Sequence, residues 1–165
     1  MNEGLAFIIY SILIGAGATV VMDLWAVFIK RCFGIPSLNY SMVGRWIGHI
    51  PKGKFIHTSI LQADPVKGET GMGWLAHYLI GIIFAGFLLL IYGPDWAQHP
   101  TFLPALMTGI VTLVAPFFIM QPGMGMGIAA SKTPAPNTAR LRSLMAHTSY
   151  GVGLYLAALL LTLFS

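Results

Sequence analysis

The sequence predicts an all-α membrane protein: a bundle of four transmembrane helices with a short interfacial helix in the first cytoplasmic loop. Three observations predict it. Apolar residues make up 56% of the 165 residues and charged ones only 8%, against about 25% in a typical soluble domain. That is too little charge to cover a water-facing surface, so lipid must be the solvent for much of the chain. Four apolar stretches each reach the ~20 residues that a helix needs to cross a ~30 Å hydrocarbon core. All nine Lys and Arg residues fall in two groups between those stretches. The length suits one integral membrane domain over residues 1–165.

The first span is expected over Leu5–Ile29. Its flank, Met-Asn-Glu-Gly, carries no basic residue, its apolar run is too long for a secretory signal, and Lys30-Arg31 follow it. It therefore reads as a permanent span. Downstream, Val43, Trp46, Ile47 and Ile50 recur at i, i+3, i+4 and i+7, while Ser41, Arg45 and His49 take another face. This predicts a helix over residues 40–50, closed by Pro51, lying in the membrane interface. Its expected interface residues are Arg45, turned to phosphate or to the bundle mouth, and Trp46. Residues 52–70 are polar and without strong periodicity.

The second span is expected over Met72–Tyr92, the third over Phe102–Gln121 and the fourth over Ser143–Phe164. Pro122-Gly-Met-Gly-Met-Gly ends the third. Lys30, Arg31, Arg45, Lys52, Lys54 and Lys67 precede the second span; Lys132, Arg140 and Arg142 precede the fourth. The positive-inside rule then puts both basic loops in the cytoplasm and both termini outside. Trp25, Trp46, Trp74 and Trp96 fall near span boundaries and read as interfacial anchors. A faint repeat relates Ala76-His77-x-x-x-Gly81 to Ala146-His147-x-x-x-Gly151.

Ionisable residues inside a span are costly and face a partner or the bundle interior. Here there are three. Asp23 lies ~10 Å from the cytoplasmic end of its span, and His77 and His147 lie ~7–8 Å inside theirs, at 1.5 Å per residue. With Tyr78 and with Gln121 at the end of span three, they define the expected ligand or proton site. Four uses stay open from the residues alone. The cluster could be interhelical glue, with Asp23 accepting from a histidine, Tyr78, Thr148 or Tyr150. It could hold and relay a proton or cation for a transported solute. Asp23, His77 and His147 could ligate a transition metal, with Met120, Met124 or Met126 added for copper. Or His77 and His147 could be axial ligands of haem b, with Gly81 and Gly151 making room and Arg45, Arg140 or Arg142 meeting the propionates. Binding or passage of a small solute or ion is the reading carried forward.

Other classes lack support. Gly15-Ala-Gly-Ala sits inside a span with no strand before it, so it is no nucleotide fingerprint and suits close helix packing instead. Gly123-Met-Gly-Met-Gly has no following Lys-Ser/Thr and is no phosphate loop. Neither Gly-x-Ser-x-Gly nor His-Glu-x-x-His occurs, and no catalytic set is identified, so an enzyme is disfavoured. The net charge of +4 is accounted for by the loops, which leaves no nucleic-acid signal. Cys32 is the single cysteine and cannot form an internal disulfide. His49, His57 and His99 are expected to be solvated. The bilayer is the one partner the sequence implies; oligomeric state is left open.

Gly44-Arg45-Trp46, Gly73-Trp74-Leu75-Ala76-His77-Tyr78, the Gln121–Gly127 segment and Gly151-Val-Gly-Leu-Tyr155 together resemble a bacterial family of small inner-membrane proteins known as a domain of unknown function. The resemblance runs over nearly the whole chain. It implies a bacterial inner-membrane location and no particular activity.

Overall fold

The computed structural model describes residues 2–163. Five main helices appear in order: α1 Glu3–Phe33, α2 Tyr40–His49, α3 Glu69–Tyr92, α4 Phe102–Gly123 and α5 Pro136–Thr162. No strand occurs among the described residues. All but α2 are long and apolar enough to cross a membrane, so this is a multi-pass membrane protein. The first three spanning helices cover their expected stretches: α1 runs past both ends, α3 starts earlier and ends at Tyr92 as expected, and α4 starts at Phe102 as expected and runs on to Gly123, whereas α5 starts earlier and ends at Thr162, with Leu163 in a turn. Phe164, the expected last residue of the fourth span, lies outside the described residues.

The overrun of α1 has a local cause at each end. The Asn2 side chain accepts from the Leu5 N–H at 2.7 Å, and Glu3 sits in the positive first turn. Lys30 and Arg31 complement the negative last turn. Gly34, at φ +67°, then closes the helix by donating its N–H to the Lys30 carbonyl at 3.1 Å.

The chain forms two compact units: residues 1–37, 78–112 and 145–165 make one, and residues 38–77 and 113–144 the other. The first, the transmembrane unit, packs its helices backbone to backbone. A Cβ added at Gly15 would stand 2.5 Å from Ile82 Cα, and one at Gly109 2.6 Å from Gly151 Cα. Lipid offers no hydrophobic drive for helices to associate, so close approach and hydrogen bonds must do it. The Tyr150 hydroxyl adds one such bond, donating to the Gly81 carbonyl at 2.6 Å. Ile14, Ala18, Leu88 and Leu154 are fully buried around it. Trp96, expected as an interfacial anchor, joins this core at 6% exposure and donates to Thr101 Oγ1. The 3-10 turn Pro94–Ala97 folds it inward.

The second unit is built on α2. The Asn39 side chain caps it by accepting from Ser41 N–H at 3.0 Å. At Gly44 and Gly73 an added Cβ would collide with the Glu69 and Tyr40 carbonyls, so α2 lies directly against the start of α3. The apolar stripe of α2 was expected to be buried at the headgroup level of the membrane interface. Instead Val43 is buried with Ile60 and Met124, and Trp46 and Ile47 pack on that cluster. The reason is the loop of residues 52–70, which folds back over the stripe. In α4, Pro116 has no N–H to give the helical ladder, and Pro116–Met120 widens into a π turn in which Gln121 N–H reaches back to the Pro116 carbonyl.

Candidate functional site

In the transmembrane unit, α1 carries Asp23 and α3 carries Tyr78, whose hydroxyl donates to Asp23 Oδ2 at 3.1 Å. Both side chains are half-buried. Of the donors expected for Asp23, Tyr78 makes this bond, while Tyr150 is directed to Gly81. On α5, His147 Nδ1 lies 2.8 Å from Thr112 Oγ1, and that hydroxyl donates to the Gly109 carbonyl at 2.6 Å. A hydroxyl has one proton. With it given to Gly109, Thr112 accepts from His147 Nδ1–H, which leaves the basic lone pair on Nε2.

In the second unit, His77 Nε2 pairs with the Tyr40 hydroxyl at 3.0 Å, with the two rings 4.3 Å apart. Trp74 closes on both rings. Gln121, at the end of the π turn, is buried; its amide donates to Ser143 Oγ at 3.3 Å, and its Oε1 has no hydrogen-bond partner. Arg45 grips Glu69 through two bonds, Nε to Oε2 at 2.9 Å and Nη2 to Oε1 at 2.8 Å, and donates to the Ala63 carbonyl. The Glu69 carboxylate raises the Arg45 pKa above its ordinary value. Trp46 donates to the Phe55 carbonyl. Thus the two residues expected to meet headgroups are engaged with their own unit.

Two histidines expected to be solvated are buried. His49 and His57 are each 5% exposed, with ring centroids 5.1 Å apart. His49 Nε2 bonds the Asp64 carbonyl at 2.9 Å, whereas both ring nitrogens of His57 are buried without a partner. Burial, then Lys54, then His49 push the His57 pKa down, which keeps it neutral. The only hint in the sequence is the glycine motif opposite. His57 N–H donates to the Gly123 carbonyl at 2.9 Å and Ile60 N–H to that of Met124 at 3.0 Å. Gly125, at φ +88°, allows the approach, since a Cβ there would run into the Thr58 carbonyl.

The cofactor readings meet local obstacles. Thr19 stands against Gly81 and Leu106 against Gly151, so the room expected for a porphyrin is filled by neighbouring helices. Met124 is buried with Val43 and Ile60, and Met120 and Met126 pack against them as apolar filler. Among the described residues no group of three or more His, Cys, Asp or Glu side chains is placed to hold a metal ion.

Comparison with curated proteins and with solved structures gives no match. A family model described as protein of unknown function (DUF2938) matches residues 12–161, nearly the whole chain, and the protein belongs to that family.

Proposed function

We propose that this protein binds and passes a proton or a small solute across the bilayer, using Asp23 and His147 as the proton-holding groups of its transmembrane unit. The observation that carries the reading is the Tyr78–Asp23 hydrogen bond. A carboxylate in an apolar span is costly, residues of this kind commonly mark ion and proton pathways, and its tyrosine partner is itself a proton donor and acceptor. His147, paired through Nδ1 with Thr112 in the same unit, supplies a second side chain of a proton-carrying type. Transport activity of vesicles carrying the purified protein, with Asp23→Asn as the discriminating variant, tests it.

A second reading, interhelical glue, is favoured by the local pairing of Asp23 with Tyr78 and of His147 with Thr112. It differs in its consequence: Asp23→Asn would lower stability and leave activity proportional to folded protein.

The same proposal places the chain in a bacterial inner membrane with both termini outside. The confinement of all nine Lys and Arg residues to the two connections between the first and second and the third and fourth apolar stretches, helix ends included, supports it. Alkaline phosphatase fused after Ser165 should be active and green fluorescent protein there dark; the reverse pattern contradicts the orientation.

A further inference from the structure

We propose that Lys52, Lys54, Phe55 and Ile56 form a finger that docks on anionic phospholipid headgroups. The sequence pointed to Arg45 and Trp46 for this contact, but Arg45 is held by Glu69 and Trp46 by Phe55 and Gly123. The residues just beyond them are arranged differently. Residues 51–56 are all exposed, with Phe55 at 59% and Ile56 at 73%. Lys52 and Lys54 have no ion-pair partner among the described residues. Two cations beside an exposed aromatic and an exposed β-branched residue suit a surface that offers phosphate above and acyl chain below.

The backbone that carries these side chains is fixed. Gly53, at φ +74°, donates to the Ile50 carbonyl at 2.9 Å, and Lys54 N–H to that of His49 at 3.3 Å. The Phe55 carbonyl accepts from Trp46 Nε1 at 2.8 Å, and His57 N–H is anchored on Gly123. A segment held at both ends binds without the entropy loss of ordering a free loop. Its level is set within the same unit: Gly123 is the last residue of α4, a membrane span, so the finger stands where hydrocarbon gives way to headgroups. Charge agrees, because this unit holds seven of the nine Lys and Arg residues and two acidic ones, Asp64 and Glu69. Of these acids, Glu69 is already paired.

The test uses the full-length protein. Native mass spectrometry after extraction from phosphatidylcholine membranes containing phosphatidylglycerol should find phosphatidylglycerol retained in preference. Lys52→Ala/Lys54→Ala should weaken that retention about tenfold or more, given a contribution per lysine that roughly doubles for the pair. Lys67→Ala/Lys132→Ala, the same loss of charge elsewhere on the unit, should weaken it much less. In a Cys32→Ser background, a fluorophore on Ile56→Cys should be quenched by spin-labelled lipid and shielded from aqueous iodide. Equal loss in the two double variants, no preference for phosphatidylglycerol, or quenching by iodide instead of lipid would each overturn the proposal. The last outcome would mean that the finger faces water and awaits a soluble partner.

Discussion

Tyr78 and Asp23 meet across α3 and α1 through a 3.1 Å hydrogen bond from hydroxyl to carboxylate. Tyr78→Phe deletes the donor and keeps the ring. It should cost only about 0.6 kcal/mol, the average for a polar contact between membrane helices, yet slow transport clearly. Unfolding in detergent and flux on one preparation check both halves. A large stability loss with unchanged flux per folded molecule would assign the bond to packing.

Backbone contact between α1 and α3 sets the next expectation. Gly15→Ala must push Ile82 Cα from 2.5 Å, and that neighbour is main chain. We expect a loss of about 1–3 kcal/mol, the usual cost of overpacking. Gly71→Ala, where nothing stands within 4 Å, is the control; it should be neutral or stabilising by up to about 1 kcal/mol, as helical Gly→Ala usually is. Thermal unfolding of the two variants side by side decides the matter.

Arg45 and Glu69 tie α2 to the start of α3, and Glu69 Oε2 also accepts the Val66 N–H at 2.9 Å. Arg45→Lys retains the charge but not the planar two-point grip, so it should behave like a loss and not like a conservative change. Hydrogen exchange at Val66 and its neighbours should quicken in Arg45→Lys and in Glu69→Gln alike. Unchanged protection in both would mean that the pair is incidental to the loop's order.

His57 carries a pH dependence whose sign follows from its surroundings. Burial first, then Lys54 and His49, hold its folded pKa below the ordinary 6.5. The unfolded chain therefore binds a proton there more readily than the folded one. This site's penalty is absent above about pH 6.5 and grows as pH falls below it toward the folded value. Melting temperature should drop between about pH 7 and pH 5, and His57→Gln should flatten part of that slope. Identical slopes in the two proteins would remove His57 from the account.

Why some of this was legible in the sequence and some was not has a physical basis. The spans were, because hydrocarbon thickness fixes their length, and the Asp23–Tyr78 pairing was among the expected ones because a polar group in lipid must find a partner. Helix ends were less so: α5 begins at Pro136, ahead of Ser143, because water supports the helix beyond the hydrocarbon edge. The burial of His49 and His57 left no periodic trace. It depends on residues 57–60 lying along residues 123–125 through backbone hydrogen bonds, which side-chain patterns do not record. The reassignment of Arg45 has the same origin, since its partner Glu69 is remote in sequence and sits at the end of a polar stretch.

The most direct test of the central claim is proton flux into pyranine-loaded vesicles carrying the purified protein, driven by a potassium diffusion potential with valinomycin. Wild type should acidify the lumen well above protein-free vesicles, and Asp23→Asn should fall to the protein-free rate while inserting in equal amount and melting near the wild-type temperature. Flux in Asp23→Asn equal to that of wild type, or wild-type flux no greater than that of protein-free vesicles, would contradict proton passage through Asp23.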